Sequence, residues 1–381
     1  MKILIATDSF KGSLSSMAAA EAVAAGIRRV YPDAQITAVP VGDGGEGTAR
    51  AMVSATGGKM VPVQVTGPLG SPVPAEFGML PDGTAVLEMA SASGLTLVPA
   101  NRRDPRWTTT YGTGELIKAA LDSGATAIII GIGGSATNDG GAGMAQALGA
   151  RLLDGAGKEL GFGGAGLDKL RLIDVSDLDS RLKEVNIKVA CDVRNPLCGP
   201  AGAAAVYGPQ KGATPEMVDI LDRRLEHFGA EIKKQLGIDV AGIPGSGAAG
   251  GLGAGLVAFT GAELAPGVEL VLDAIKIDRL MAQVDLVITG EGRVDAQSAY
   301  GKVPTGVAGR ARRRGLPVLA VAGSVGPGAE KLYDMGIDSI ITIAPGPISD
   351  AEAMQKARAL TADAVERSFR ILKISINLGR E

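Results

Sequence analysis

Five glycine-rich stretches of this 381-residue chain carry charged side chains at short spacing. The first holds Asp8, Ser9 and Lys11, and the second holds Asp43 and Glu46. The third, GGSATNDGG at 133–141, contains Gly133, Gly134, Ser135, Asn138 and Asp139. The fourth holds Asp192 and Arg194; the fifth holds Glu291, Arg293 and Asp295, with Lys302 close behind. Glycine lets a backbone approach a ligand closely. Carboxylates in such loops can hold Mg2+ or accept a hydroxyl proton, and Lys or Arg can neutralise phosphate or carboxylate. The inventory suits phosphoryl transfer, which needs positioning and charge stabilisation rather than a covalent nucleophile. Any one of these residues alone reads more readily as a cap, a turn former or a surface ion pair. Their recurrence in five loops is what favours chemistry.

Other chemistries fit less well. Hydride transfer would want one clean dinucleotide fingerprint with an acidic residue about twenty positions on. The GxGxxG at Gly245, Gly247 and Gly250 is weak evidence alone, and a second match at Gly161, Gly163 and Gly166 has no strand before it. No GxxxxGK[ST] occurs, and the protein-kinase motif set is missing. His227 is the single histidine and reads as a surface residue, so no Ser–His–Asp triad is available. Cys191 and Cys198 lack histidine partners for zinc, and free thiols suit a reducing cytoplasm.

The elements that must position these loops follow from hydrophobic rhythm. Residues 3–7 read as a parallel strand buried on both faces, and 14–30 as a helix. Residues 35–41 give a second strand, and a helix follows the Asp43 loop. Asp8 and Asp43 thus stand at strand carboxyl ends, where open α/β sheets bind ligands. From about residue 60 three short extended runs, 61–66, 72–79 and 84–90, are separated by GPLGS and LPDG, which predicts an antiparallel meander. A helix over 113–123, the isoleucine strand before Gly131, a hairpin-like 151–159 and a strand over 188–191 continue that region. The stretch 192–214 reads as a long irregular loop, followed by a helix with Thr214 as N-cap and Pro215 at N1. The parallel rhythm then returns at 285–289, 316–322 and 339–344, with a loop at 290–295 and a closing helix over 350–373. The expected architecture is a flavodoxin-like parallel domain of about five strands, residues 1–60 and 266–381, interrupted by a second α/β domain, 61–265.

Net charge is −3 and no basic face is advertised, so nucleic acid is not an expected partner. The apolar run before Asp8 is too short for a signal-peptide core. The uncharged stretch 240–262 is long enough to span a bilayer, but its glycines and Pro244 argue against a membrane helix. A cytoplasmic protein is expected, with room for a homo-oligomer.

The segments DSFKGS (8–13), PVGDGGEGT (40–48), GGSATNDGG (133–141), DVRNPLCGPAGAAAVYGPQKGA (192–213), PGSGAAGGLGAG (244–255) and DLVITGEGRVDAQSAYGKVPTGVA (285–308) resemble those of the bacterial type I glycerate kinases. The resemblance runs from the first strand to about residue 345. It implies ATP-dependent phosphorylation of D-glycerate, usually to 2-phosphoglycerate, with Mg2+. It also implies a flavodoxin-like domain interrupted by one that resembles restriction endonucleases. The ending RILKISINLGRE departs from the Ala-rich helical close expected of that family.

On this reading the charged loops of both domains face one cleft. Asp192, directly after a buried-looking strand, is the expected base, and Lys11 and Arg293 supply fixed positive charge. Asp43 and Asp295 are the expected metal ligands, with Asp139 in reserve for either role. Ser9, Gly133, Gly134, Ser135, Asn138, Asp139, Arg194, Lys211, Gly245, Gly247, Gly250, Glu291 and Lys302 are expected to bind substrate or phosphate. Two rivals stand beside it: an NAD-dependent oxidoreductase using the Gly245–Gly250 loop, and a non-catalytic binder of small acids.

Overall fold

The computed structural model describes residues 1–299 and 301–378. In chain order its strands are β1 (Lys2–Thr7), β2 (Gln35–Pro40), β3 (Lys59–Thr66), β4 (Pro72–Met79), β5 (Thr84–Glu88), β6 (Ala127–Gly131), β7 (Arg151–Asp154), β8 (Leu170–Asp174), β9 (Asn186–Ala190), β10 (Glu263–Ala265), β11 (Leu286–Val294), β12 (Val318–Val325) and β13 (Ser339–Thr342). The chain divides into two units, Met1–Asp43 with Val268–Glu381, and Gly44–Gly267.

In the first unit the order β13-β12-β11-β1-β2 makes a five-stranded sheet with every pair parallel. Counted within the unit this is 2-1-3-4-5, the flavodoxin-like order. The run Ile3–Ala6 is fully buried, as a strand covered on both faces requires. The helix Ser16–Arg28 starts where the Ser15 hydroxyl accepts the Ala18 N–H at 3.2 Å. It packs on the helix Ala357–Leu378, which sends Val365 and Phe369 into the same core. The closing helix expected over 350–373 is in fact two, Asp350–Gln355 and Ala357–Leu378. The atypical C-terminal segment continues the second of these; its residues 379–381 lie outside the described residues. The loop expected at 290–295 is mostly strand. β11 runs on to Val294 because Arg293 and Val294 pair with Ser324 and Val325 of β12.

In the second unit the sheet order is β10-β9-β6-β5-β4-β3. β3, β4 and β5 form the expected antiparallel meander, and β5, β6, β9 and β10 run parallel. Leu87, Ile128, Ile130 and Val189 centre its core with Leu116 and Leu252 from covering helices. Asp154 and Lys158 close the expected turn, but β7 pairs along its length with β8. The helix Pro215–Leu236 has the predicted cap and buries Leu221, Leu225, Phe228 and Ile232. His227 on that helix is half-buried, its Nε2 3.1 Å from the Leu170 carbonyl. The stretch 240–262 holds the buried helix Ala248–Thr260, and no described helix is long and apolar enough to cross a membrane.

The boundary expected near residue 60 falls instead at 43/44. The helix Thr48–Thr56 belongs to the second unit because Glu88, at the end of β5, accepts the N–H groups of Gly47 and Ala49 at 3.1 and 2.8 Å. Helix rhythm shows that such a helix exists; it says nothing about which sheet covers it. The second boundary, 267/268, lies close to the expected 265/266.

Candidate active site

In the first unit the acidic loops gather at the carboxyl ends of the parallel strands. Asp8 follows β1, and its N–H donates to Gly290 O at 2.9 Å. The Ser9 N–H donates to the Asp8 carboxylate at 2.6 Å. Burial pushes the Asp8 carboxyl up to about 7; the negative charges of Asp43 and Glu291 push the same way, against the Ser9 N–H. Asp43 and Glu291 are therefore electrostatic neighbours of Asp8, as the ends of adjacent strands β2, β1 and β11 should be. The turn after Asp8 lies directly on β11. A Cβ at Gly292 would stand 3.1 Å from Lys11 N and 3.2 Å from Phe10 Cα, so a side chain there would push the turn off the strand by a few tenths of an ångström. Lys11 itself is exposed.

Glu291 is 5% exposed. It accepts from the Ser298 hydroxyl and, at 3.1 Å, from the Lys302 ammonium. Burial raises its pKa, and these two donors oppose the rise. Asp295 behaves differently. The Gln297 N–H bonds one of its oxygens at 2.9 Å and the Arg293 guanidinium the other at 3.1 Å. The Gln297 N–H, assisted by Arg293, holds it below the usual carboxylate range. Asp295 thus closes a local turn with both oxygens engaged, whereas the expectation was an open metal ligand. Among the described residues no group of three or more His, Cys, Asp or Glu is placed to hold a metal.

In the second unit Asp139 is fully buried. Its carboxylate accepts the Thr110 N–H and hydroxyl, each at 2.8 Å, the Gly141 N–H at 3.1 Å and the Gly143 N–H at 3.4 Å. Burial raises its pKa against those donors. Asp139 thus ties the start of the helix Ala142–Ala147 to Thr110, and its carboxylate, expected to bind substrate or phosphate and held in reserve as base or metal ligand, has its oxygens bonded to the protein's own donors. Ser135 is buried beside Gly94, while Gly133 and Gly134 stay exposed. Lys211, expected in an open loop, is 2% exposed, and its ammonium donates to Thr137 O at 2.7 Å.

The three glycines of the 245–250 fingerprint also turn inward. A Cβ at Gly245 would sit 2.8 Å from Cys191 Sγ, one at Gly247 would collide with Pro196 O, and one at Gly250 would collide with Thr137 O. Ala249, Gly250 and Gly251 all have positive φ, so regular helix starts only after them. These glycines admit close neighbours of the same chain, the Cys191 side chain at Gly245 and backbone at Gly247 and Gly250, which accounts for the pattern without a dinucleotide. Asp192 and Arg194 are exposed beyond β9, and Asp192 Oδ1 accepts the Gly267 N–H at 2.9 Å.

Sequence reasoning left Asp8 without a role and missed Glu88, Thr110 and Ser298. Glu88 had a signal, an acidic residue closing the apolar run TAVLE. Thr110 and Ser298 act through partners far along the chain or across a turn, and nothing in their local sequence marks them.

The sequence profile described as "Glycerate kinase family" matches residues 3–373. The chain is 53% identical over 381 residues to a glycerate kinase of Bacillus subtilis (strain 168), covering 100% of this chain and 99% of that one. It is 55% identical over 380 residues to the glycerate 2-kinase of Escherichia coli (strain K12), again covering 100% and 99%. A crystal structure from Salmonella typhimurium LT2, described as a glycerate kinase 2, superposes with a TM-score of 0.91 at 50% identity over 99% of each chain.

Proposed function

We propose, because this chain belongs to the glycerate kinase family, that it transfers the γ-phosphoryl group of ATP to the 2-hydroxyl of D-glycerate, giving 2-phosphoglycerate. The regiochemistry rests on the 55% identical relative whose name is glycerate 2-kinase. The observation that carries the chemistry is the crowding of Asp8, Asp43 and Glu291 at the carboxyl edge of the parallel sheet. Like charges are held together there at a cost, which a reacting proton or a bound cation would relieve.

Asp8 is the base we favour. It must accept the proton of the attacking hydroxyl, and a carboxyl poised near 7 does this at neutral pH better than one at its ordinary value. Asp192 is the alternative, since it stands exposed after β9, although one of its oxygens already serves Gly267. Lys11 and Arg293 supply positive charge to phosphate or carboxylate oxygens. Mg2+ fits the donor set. It usually takes only one or two protein carboxylates and keeps waters and phosphate oxygens for the rest, so a three-carboxylate cage is not required. Asp43 is the ligand we favour, because its charge lies beside Asp8, the favoured base. When bound, the cation masks the charge of the triphosphate. The residues around it orient the two substrates and receive the proton.

The test is phosphorus NMR of the products formed from ATP, Mg2+ and D-glycerate. The expected spectrum shows ADP with 2-phosphoglycerate. Accumulation of 3-phosphoglycerate alone would overturn the regiochemistry, and no ADP would overturn the kinase reading.

A further inference from the structure

Within the second unit, we propose that Lys211 and Asn138, with Arg103 and Thr137, form a buried subsite for an oxyanion, the carboxylate of an acid substrate or a phosphate of a nucleotide. The proposal deepens the kinase reading above and rests on it.

Lys211, Thr137 and Asn138 are at most 2% exposed. An ammonium carries three N–H donors, and that of Lys211 makes one hydrogen bond among the described residues, to Thr137 O at 2.7 Å. That carbonyl belongs to the peptide leading into Asn138. Neither Nδ2 nor Oδ1 of Asn138 has a partner, and neither does Thr137 Oγ1. Gly212, next to Lys211, lies against the backbone of Arg103, whose buried Nε also lacks a partner. Buried polar side chains are nearly always hydrogen-bonded. A cluster of exceptions around one peptide needs a reason.

Asp139 does not supply it. Its oxygens already receive Thr110, Gly141 and Gly143, so it offers Lys211 a countercharge without a direct bond. What remains is one acceptor, Asn138 Oδ1, outnumbered by donors: ammonium N–H, amide NH2, guanidinium N–H and a hydroxyl. Donors with positive charge in a desolvated site suit carboxylate or phosphate oxygens. Burial pushes Lys211 down to about 7 against the attraction of Asp139, and the backbone of Arg103 packs on Gly212 next to it. A bound anion would draw the proton back, so affinity should weaken as pH rises past about 7.

The experiment compares KM for D-glycerate and for ATP in the wild type, Lys211→Met and Asn138→Leu, with thermal melting as a control of folding. The expected result is a rise of about tenfold or more in one KM, with the other within about twofold. A selective rise for D-glycerate identifies the carboxylate as ligand, and one for ATP identifies a phosphate. Unchanged values, or both KM values rising together, would overturn the subsite. If either variant fails to melt cooperatively, Lys211→Gln and Asn138→Ser are read by the same criterion. If the wild type itself turns over no D-glycerate, the kinase reading has failed independently. Calorimetric titration of the wild type and Lys211→Met with inorganic phosphate and with D-glycerate then decides the subsite: loss of binding in the variant sustains it, and equal or absent binding in both proteins sinks it.

Discussion

Asp192 Oδ1 accepts the backbone N–H of Gly267 at 2.9 Å, and Gly267 is the last residue of the second unit before the chain passes into the first. The exposed carboxylate that follows β9 is thereby an anchor for a crossover of the chain. An amide keeps an acceptor oxygen at that position, so the hydrogen bond should survive Asp192→Asn.

The two candidate bases are separable on this ground. Asp8→Asn should lower kcat by about 10²–10⁴-fold, the usual loss when a general base is removed. Asp192→Asn should stay within about tenfold of the wild type, since a retained neutral hydrogen bond loses little. Steady-state kinetics at saturating ATP and Mg2+ check this, and the reverse ranking would return the role to Asp192.

Asp8 should also cost stability at neutral pH. Its folded-state pKa of about 7 lies above the model-compound value of 3.8. Between these two pH values the folded chain holds a proton that the unfolded chain has released. Stability contributed by the group is therefore full below 3.8 and is lost as pH rises to about 7. Asp8→Asn should be more stable than the wild type at pH 8 by up to about 4 kcal/mol, the energy of a three-unit shift, with no advantage at pH 3.5. Urea denaturation at both pH values reads the difference, and equal stabilities at pH 8 would contradict the burial and crowding described for Asp8.

The positive charges and the cation ligands call for different readouts. Lys11→Met and Arg293→Met should each reduce kcat/KM by about 10²–10³-fold, as loss of one electrostatic donor to a transition state does. Asp43→Asn should raise the Mg2+ concentration for half-maximal rate, and Asp295→Asn should raise it less, because it is Asp43 whose charge bears on Asp8. Mg2+ titrations of the rate test the order; a larger effect at Asp295 would reverse the assignment.

Glu88 offers a prediction about structure alone. Its carboxylate holds the Gly47 and Ala49 N–H groups at the start of the helix Thr48–Thr56. Glu88→Ala should destabilise the protein by about 1–2 kcal/mol, the usual loss of an N-terminal cap, and Glu88→Gln should cost less. Thermal melting decides, and an unchanged midpoint for the alanine variant would remove the capping role.

Much of this protein is determined by its sequence taken alone. Buried parallel strands announce themselves by continuous apolar runs such as Ile3–Ala6, and meanders by turn residues such as LPDG. Both are local properties, so the interrupted parallel unit and the loops bearing Asp8 and Asp43 were legible, whereas Glu291 proved to lie within β11, and the long ordered motifs carried the family. Which charges reach solvent was decided only by tertiary structure. Asp139 and Asp192 sit in similar glycine-rich stretches, yet one is buried against Thr110, twenty-nine positions away, while the other stays exposed and bonds the Gly267 N–H. Lys211 reads as a loop lysine and is buried on the Thr137 carbonyl, seventy-four positions away. The glycines at 245, 247 and 250 spell a ligand-binding pattern, but their missing side chains make room for the backbone of Asn195–Pro196 and Thr137. Hydrogen-bond partners and desolvation set the protonation and availability of a charged group. Both are fixed by residues distant in the chain, and no local pattern encodes them.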